Sequence, residues 1–159
     1  LADDAGPLIA AMLAAGLDGN AVRWAGAVKP GSEGWALLAL ANPAAGAVDT
    51  GAIEDFHGED HSAGSRRSAL LVASGGQAND LAGKYGFVLD RQSRWAQAID
   101  QAAQYNNRTL VALLAGLGMQ GDSWERMTPR NLYHVVSALN RVGLGAEARM
   151  IAAEAVARG

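Results

Sequence analysis

The residues best suited to chemistry are concentrated in one short segment, EDFHGEDHS, which covers positions 54–62. It contains His57 and His61, separated by one helical turn, together with Glu59 and Asp60. On a continuous helix, side chains at positions i and i+4 lie on one face, which is the geometry used by zinc sites of the HExxH type. The segment therefore defines a candidate metal site made of His57, His61, Glu59 and Asp60, and a metal-dependent hydrolase is one function to consider.

Other features of this segment favour a solvated acidic loop. Gly58 lies between the histidines and HSAGS follows, so we expect the helix that begins near Thr50 to end at Phe56. The glutamate that follows the first histidine of HExxH is missing, and the carboxylates do not have the spacing of an EF-hand loop. The chain has no cysteine, which excludes disulfides, thiolate metal ligands and a cysteine nucleophile. It also has no phosphate-binding glycine loop, dinucleotide fingerprint or GxSxG motif, so we expect no cofactor and favour a non-enzymatic role.

A second candidate site lies in WERMTPRNLYH, the densest mixture of aromatic and basic residues in the chain. Thr128 is predicted to cap a helix that begins at Pro129, with a buried apolar stripe opposite a polar face. The residues assigned to a partner-binding surface around that polar face are Trp124, Arg126, Arg130, Tyr133, His134 and Arg141. The alternative is a polar helix face that is only solvated.

Two arginine–tryptophan pairs, Arg23-Trp24 and Arg94-Trp95, could line a groove that holds an extended peptide or a sugar. The alternative, which we favour, is that each tryptophan packs into the next helical hairpin while its arginine stays outside. Aromatic residues make up only 6% of the chain, and large aromatics in such a sequence are expected to anchor the core.

Composition limits the partners. The net charge is −3, from 16 acidic and 13 basic residues, and the basic residues are spread along the chain. This pattern does not predict binding to nucleic acid or to an anionic membrane surface. The longest apolar runs fall far below the roughly 18 residues of a membrane-spanning helix, so no membrane insertion is expected.

Helix signals dominate the chain, and no segment shows the alternation of a β-strand. Glycine followed by an apolar residue predicts tight helix-ending corners at Gly16-Leu17, Gly86-Phe87, Gly118-Met119 and Gly143-Leu144. The predicted helices cover residues 4–16, 20–28, 32–41, 50–56, 66–74, 78–85, 90–105, 109–117, 129–142 and 146–157.

Two segments share a pattern that suggests a degenerate repeat: LDGNAVRWAGAV and LDRQSRWAQAI. The C-terminal sequence ALNRVGLGAEARMIAAEAVARG resembles the second half of a tetratricopeptide-like helical hairpin, with small residues where neighbouring helices would meet. The resemblance implies a scaffold for protein binding and no chemistry.

We therefore expect one all-α domain over residues 1–159, built of short antiparallel helical hairpins stacked as a small α-solenoid or an irregular helical bundle. The chain begins with leucine, and we expect it to be a mature form or a piece of a longer protein. The predicted function is a non-enzymatic interaction module that binds a protein or peptide. The alternatives are the metal-dependent hydrolase and a purely structural domain that associates with itself.

Overall fold

A computed structural model of the chain describes residues 5–41, 50–59, 83, 93–121 and 127–158. All regular structure in these ranges is helical, which confirms the all-α class. The eight α-helices of the described residues are α1 (Ala5–Ala14), α2 (Asp18–Val22), α3 (Glu33–Ala41), α4 (Thr50–Glu59), α5 (Arg94–Gln104), α6 (Arg108–Gly118), α7 (Pro129–Arg141) and α8 (Gly145–Arg158). The helix predicted at 66–74 and the corner at Gly86-Phe87 lie outside the described residues, as does the helix predicted at 78–85 except for Gly83, which is helical.

Several helices begin at a side-chain cap. The Thr128 hydroxyl accepts a hydrogen bond from the backbone N–H of Asn131 at 3.2 Å, and Pro129 is the first residue of α7, as predicted. The Ser32 hydroxyl accepts from the N–H of Trp35 at 3.3 Å, which confirms the predicted start of α3. Each cap satisfies one of the free N–H groups of a first turn and contributes about 1 kcal/mol.

Two of the predicted glycine corners are confirmed. Gly16 has a φ of 72°, and the N–H of Leu17 donates to the carbonyl of Met12 at 2.8 Å. Gly143 has a φ of 78°, and Leu144 makes the equivalent bond to the last turn of α7 at 2.9 Å. These bonds define Schellman motifs, which join α1 to α2 and α7 to α8 within a few residues.

The corner predicted at Gly118-Met119 is wrong. Gly118 is the last residue of α6, and glycine is needed there because a β-carbon would collide with the indole ring of Trp95. A left-handed corner occurs instead before α6, at Asn106, whose φ is 53°. The N–H of Asn107 closes this corner on the carbonyl of Ala102 at 2.9 Å. Asparagine tolerates the left-handed region better than most residues, so it takes the role usually given to glycine.

The prediction of one helix over residues 20–28 is also wrong. Helix α2 ends at Val22, a turn follows, and Ala25–Ala27 form a 3₁₀ helix. Trp24 therefore lies in a turn, whereas Trp95 lies in the first turn of the long helix α5. The two matching sequences therefore differ in local structure around their tryptophans.

Several of the described helices pack on helices close to them in sequence, and the last also packs on the first. Helices α1, α2 and α3 contact one another, α6 and α7 both pack on α5, and α8 packs on α7. Helix α8 also packs on α1 and α3, which brings the last helix back to the first. The contacts among the described helices are consistent with either predicted arrangement, an irregular bundle or a small solenoid.

The core is made of small and medium apolar side chains. The largest fully buried ones among the described residues are Ile9, Leu37, Ile53, Ile99, Leu132, Val111, Val135 and Val156. Burying a side chain of this size contributes about 1.5–3 kcal/mol. None of the described helices has the combination of length and apolar character that crossing a bilayer requires.

Candidate interaction surface

Helix α6 carries a row of exposed leucines, which we call the leucine face: Leu110, Leu113 and Leu117. Their exposed fractions are 41%, 67% and 55%. The side of α6 that faces the core is formed by Val111 and Ala115, which are fully buried, together with the half-buried Leu114. The helix therefore presents three of its four leucines to the surface.

The leucine face is uncharged as well as apolar. From Thr109 to Gly118 no residue is ionisable, and the other exposed positions of this stretch are Thr109, Ala112 and Gly116. A β-carbon on Gly116 would meet nothing within 4 Å. The leucines follow one another at intervals of three and four residues, which is the spacing of the apolar seam in a helical coiled coil.

The corner before α6 holds an exposed aromatic ring. Tyr105 is 82% exposed and directly precedes the left-handed residue Asn106. The Asn107 side chain then accepts from the N–H of Leu110 at 3.1 Å, which fixes the start of α6. The tyrosine is held near the beginning of the leucine face by a corner made of backbone and side-chain hydrogen bonds.

The residues of the predicted partner-binding surface on α7 differ in their exposure. Arg141 is exposed, and Arg130 and Tyr133 are half-buried. The placement of His134 on the polar face is wrong, because its side chain is only 3% exposed. Trp124 and Arg126 lie outside the described residues.

His134 is instead paired with Asp100 of α5. Its Nδ1 lies 3.0 Å from one carboxylate oxygen of Asp100 and 3.2 Å from the other. Its Nε2 is buried and has no hydrogen-bond partner among the described residues, and Tyr133 contacts the ring edge-on at 5.5 Å between ring centroids. A carboxylate that orients one ring nitrogen is a feature of catalytic and metal-binding histidines. Here Nε2 is enclosed in the core, and the pair links α5 to α7.

The apolar stripe predicted on α7 is confirmed. Leu132, Val135, Val136 and Leu139 are all buried. They hold the helix against its neighbours, and the polar side of the helix follows from that orientation.

The tryptophans support the core interpretation of the arginine–tryptophan pairs. Trp95 is half-buried, packs on α6 and donates from Nε1 to the carbonyl of Leu114 at 2.9 Å, while Arg94 is exposed. Trp24 is half-buried against the core, and Arg23 is exposed. The tryptophans therefore pack inward and the arginines lie outside, as the favoured alternative predicted.

The prediction that the helix containing His57 ends at Phe56 is wrong. Helix α4 continues through His57 and Gly58 to Glu59. The buried side chains of Ile53 and Phe56 hold α4 on the core, and a single glycine near a helix end costs only about 1 kcal/mol.

The candidate metal site is only partly covered by the structure. Asp60 and His61 lie outside the described residues, and of His57 and Glu59 only the backbone is described. In the part of the chain that the structure describes, no group of three or more histidine or acidic side chains is placed to hold a metal ion. The four-residue metal site remains a prediction.

The leucine face was not found from the sequence. The helix 109–117 was predicted, but its residues are nearly all apolar, so the pattern does not show which side faces out. The available signal was the spacing of the three leucines and the absence of charge from Thr109 to Gly118.

Comparison of the chain with protein-family models, with curated proteins and with solved structures finds no match.

Proposed function

We propose that this protein is a non-enzymatic helical interaction module that binds an amphipathic helix of a protein partner along α6. The observation that carries the proposal is the leucine face, an exposed row of three large apolar side chains on an uncharged helix surface. Exposed apolar patches on soluble proteins are a common mark of binding sites.

The geometry of the face suits a helical partner. Leucines at intervals of three and four residues accept the side chains of a second helix that has the same spacing. Ala112 and Gly116 are exposed on the same helix, and their small size allows a partner backbone to approach closely. Tyr105 adds an exposed aromatic ring at one end, and tyrosine is enriched among the residues that dominate binding energies.

The expected affinity is modest. The exposed fractions of the three leucines correspond to about one and a half whole side chains, so covering them contributes about 2–5 kcal/mol. Association costs about 4–15 kcal/mol in lost translational and rotational freedom. Contacts beyond the leucines, including Tyr105, are therefore needed. We expect a transient complex, so a cross-linker is needed to keep the partner bound through the wash steps of a capture experiment.

The proposal is tested by cross-linked capture from a lysate of the source organism, with mass spectrometry of the captured proteins. The variant Leu113→Glu places a charge at the most exposed position of the face, and Leu8→Glu is the matched control, since Leu8 is 44% exposed on α1. We expect a partner that the wild type and Leu8→Glu capture and that Leu113→Glu loses. Equal capture by all three proteins would contradict the proposal.

Two further measurements separate the alternative surfaces. The double variant Arg130→Ala with Tyr133→Ala tests the exposed part of α7, and loss of the partner there with retention in Leu113→Glu would move the site to α7. Light scattering at several concentrations tests self-association. A mass that rises with concentration in the wild type and not in Leu113→Glu would identify a second copy of the chain as the partner.

A further inference from the structure

Two adjacent cavities lie beside helix α8. The larger, of about 330 Å³, is lined by α1, α8 and Met119, which follows the end of α6. The smaller, of about 50 Å³, is lined by the end of α1, the start of α2 and the first turns of α8. Met150 lines both, so the cavities are neighbours on either side of this side chain, and together we call them the trough.

The larger cavity has the chemistry of a hydrocarbon site. Alanines of the two facing helices, such as Ala14 and Ala157, leave a space that larger side chains would otherwise fill. The volume lies at the lower end of the range for small-molecule sites. Along α8 the lining runs from Met150 to Ala157, which is about 10 Å of helix, so the space suits a single extended chain.

The smaller cavity has a polar end. It is lined by Arg149 and Asp18, whose Nη2 and carboxylate oxygen are 3.4 Å apart. The Nε of Arg149 is buried and has no hydrogen-bond partner among the described residues. A buried donor without an acceptor is costly, so a ligand oxygen that reached this nitrogen would stabilise the arginine. The volume is enough for a group the size of one or two water molecules.

We propose that the trough binds a single-chain carboxylic acid, with its hydrocarbon in the larger cavity and its carboxylate at Arg149. A guanidinium is suited to a carboxylate because its N–H groups form charge-assisted hydrogen bonds with both oxygens. Glu154 also lines the larger cavity, five residues along α8 from Arg149. Met150 separates the cavities with a flexible thioether, which can move aside as the chain enters.

The methionines of the protein provide the test. The chain has four, and Met119 and Met150 line the larger cavity while Met127 is buried in the core elsewhere. With methionine methyl groups labelled for NMR, titration with decanoate is expected to shift the Met119 and Met150 signals saturably and to leave Met127 in place. No saturable shift, or an equal shift of the Met127 signal, would overturn the proposal.

The head group is tested with 1-decanol, which has the same chain length and no carboxylate. We expect it to bind about tenfold more weakly than decanoate, the loss that one charge-assisted hydrogen bond represents. The variant Arg149→Gln is expected to lower decanoate affinity to the level of decanol while leaving decanol affinity unchanged. Equal binding of the two ligands by the wild type, or unchanged decanoate binding by Arg149→Gln, would refute the role of Arg149.

The tail site is tested by filling it. Ala157→Leu is expected to weaken both ligands at least tenfold, whereas the control Ala112→Leu, on the exposed side of α6, is expected to leave both affinities unchanged. Unchanged affinities in Ala157→Leu would overturn the placement of the chain. These outcomes are independent of the partner-binding role of α6, because none of the trough residues belongs to the leucine face.

Discussion

Replacing Gly118 by alanine is the sharpest test of how α6 packs on α5. A β-carbon at this position would overlap the Trp95 ring, with Cε2 at 2.8 Å and Cη2 at 3.1 Å in addition to a closer contact at Cζ2. The indole cannot move freely, because its Nε1 donates to the Leu114 carbonyl at 2.9 Å. Gly118→Ala must therefore displace a ring that joins α5 to α6.

The expected destabilisation is about 2 kcal/mol, obtained from three effects. Overpacking a well-packed site costs about 1–3 kcal/mol. Losing the indole hydrogen bond costs about 0.5–1.5 kcal/mol. Alanine recovers up to about 1 kcal/mol of helix propensity relative to glycine. In urea unfolding of a domain of this size, the midpoint should fall by about 1 M.

The control lies two residues earlier on the same helix. A β-carbon on Gly116 meets nothing within 4 Å, so Gly116→Ala should be neutral or raise the free energy of unfolding by up to about 1 kcal/mol. Both variants are compared with the wild type by urea unfolding followed by circular dichroism at 222 nm. In a Trp95→Phe background the penalty of Gly118→Ala should shrink, because the smaller ring leaves room. If Gly118→Ala is as stable as Gly116→Ala, the packing of Trp95 on this glycine is not a constraint and the reasoning fails.

Three further predictions concern local contacts, each measured by the same unfolding assay. Asn106→Ala should destabilise the protein by about 1–2 kcal/mol because alanine is strained at a φ of 53°, whereas Asn106→Gly should be neutral or stabilising, and equal effects would count against the left-handed corner. Thr128→Ala should cost about 1 kcal/mol through loss of the α7 cap, with Thr128→Ser retaining most of it. Asp100→Ala should cost about 1–3 kcal/mol because the buried His134 loses its acceptor, and Asp100→Asn, which keeps an acceptor oxygen, should cost less. Equal losses in the two Asp100 variants would indicate that the hydrogen bond does not determine the cost.

The helix ends that the sequence predicted correctly are fixed by contacts between neighbouring residues. The caps at Ser32 and Thr128 and the corners at Gly16 and Gly143 depend on backbone geometry and on hydrogen bonds within one or two turns. Such contacts are present whenever the helix forms, so short patterns identify them. Gly118 has the same sequence pattern, but its glycine is required by a side chain from another helix.

His134 shows why the polar side of a helix is difficult to predict. The apolar stripe on α7 was read correctly, but Ala138 and His134, one turn apart, are also buried. Helix α7 contacts α5, α6 and α8, so its buried arc is wider than the stripe. His134 can be buried there because Asp100, 34 positions away in the sequence, supplies a hydrogen-bond partner. No local sequence pattern shows that such a partner exists.

The orientation of α6 joins the fold to the proposed function. This helix has two apolar sides, and an argument from hydrophobicity alone would bury the leucines and expose Val111 and Ala115. The structure does the opposite for three of the four leucines, because Trp95 occupies the side where Gly118 leaves room and α6 packs on its neighbours mainly through Val111 and Ala115, with Leu114 half-buried beside them. Close packing of small residues thus determines which side faces inward, and the larger leucines remain outside without a covering element among the described residues. Exposed leucines on an uncharged helix surface favour association, so the orientation of α6 supports the proposal that a partner binds at the leucine face.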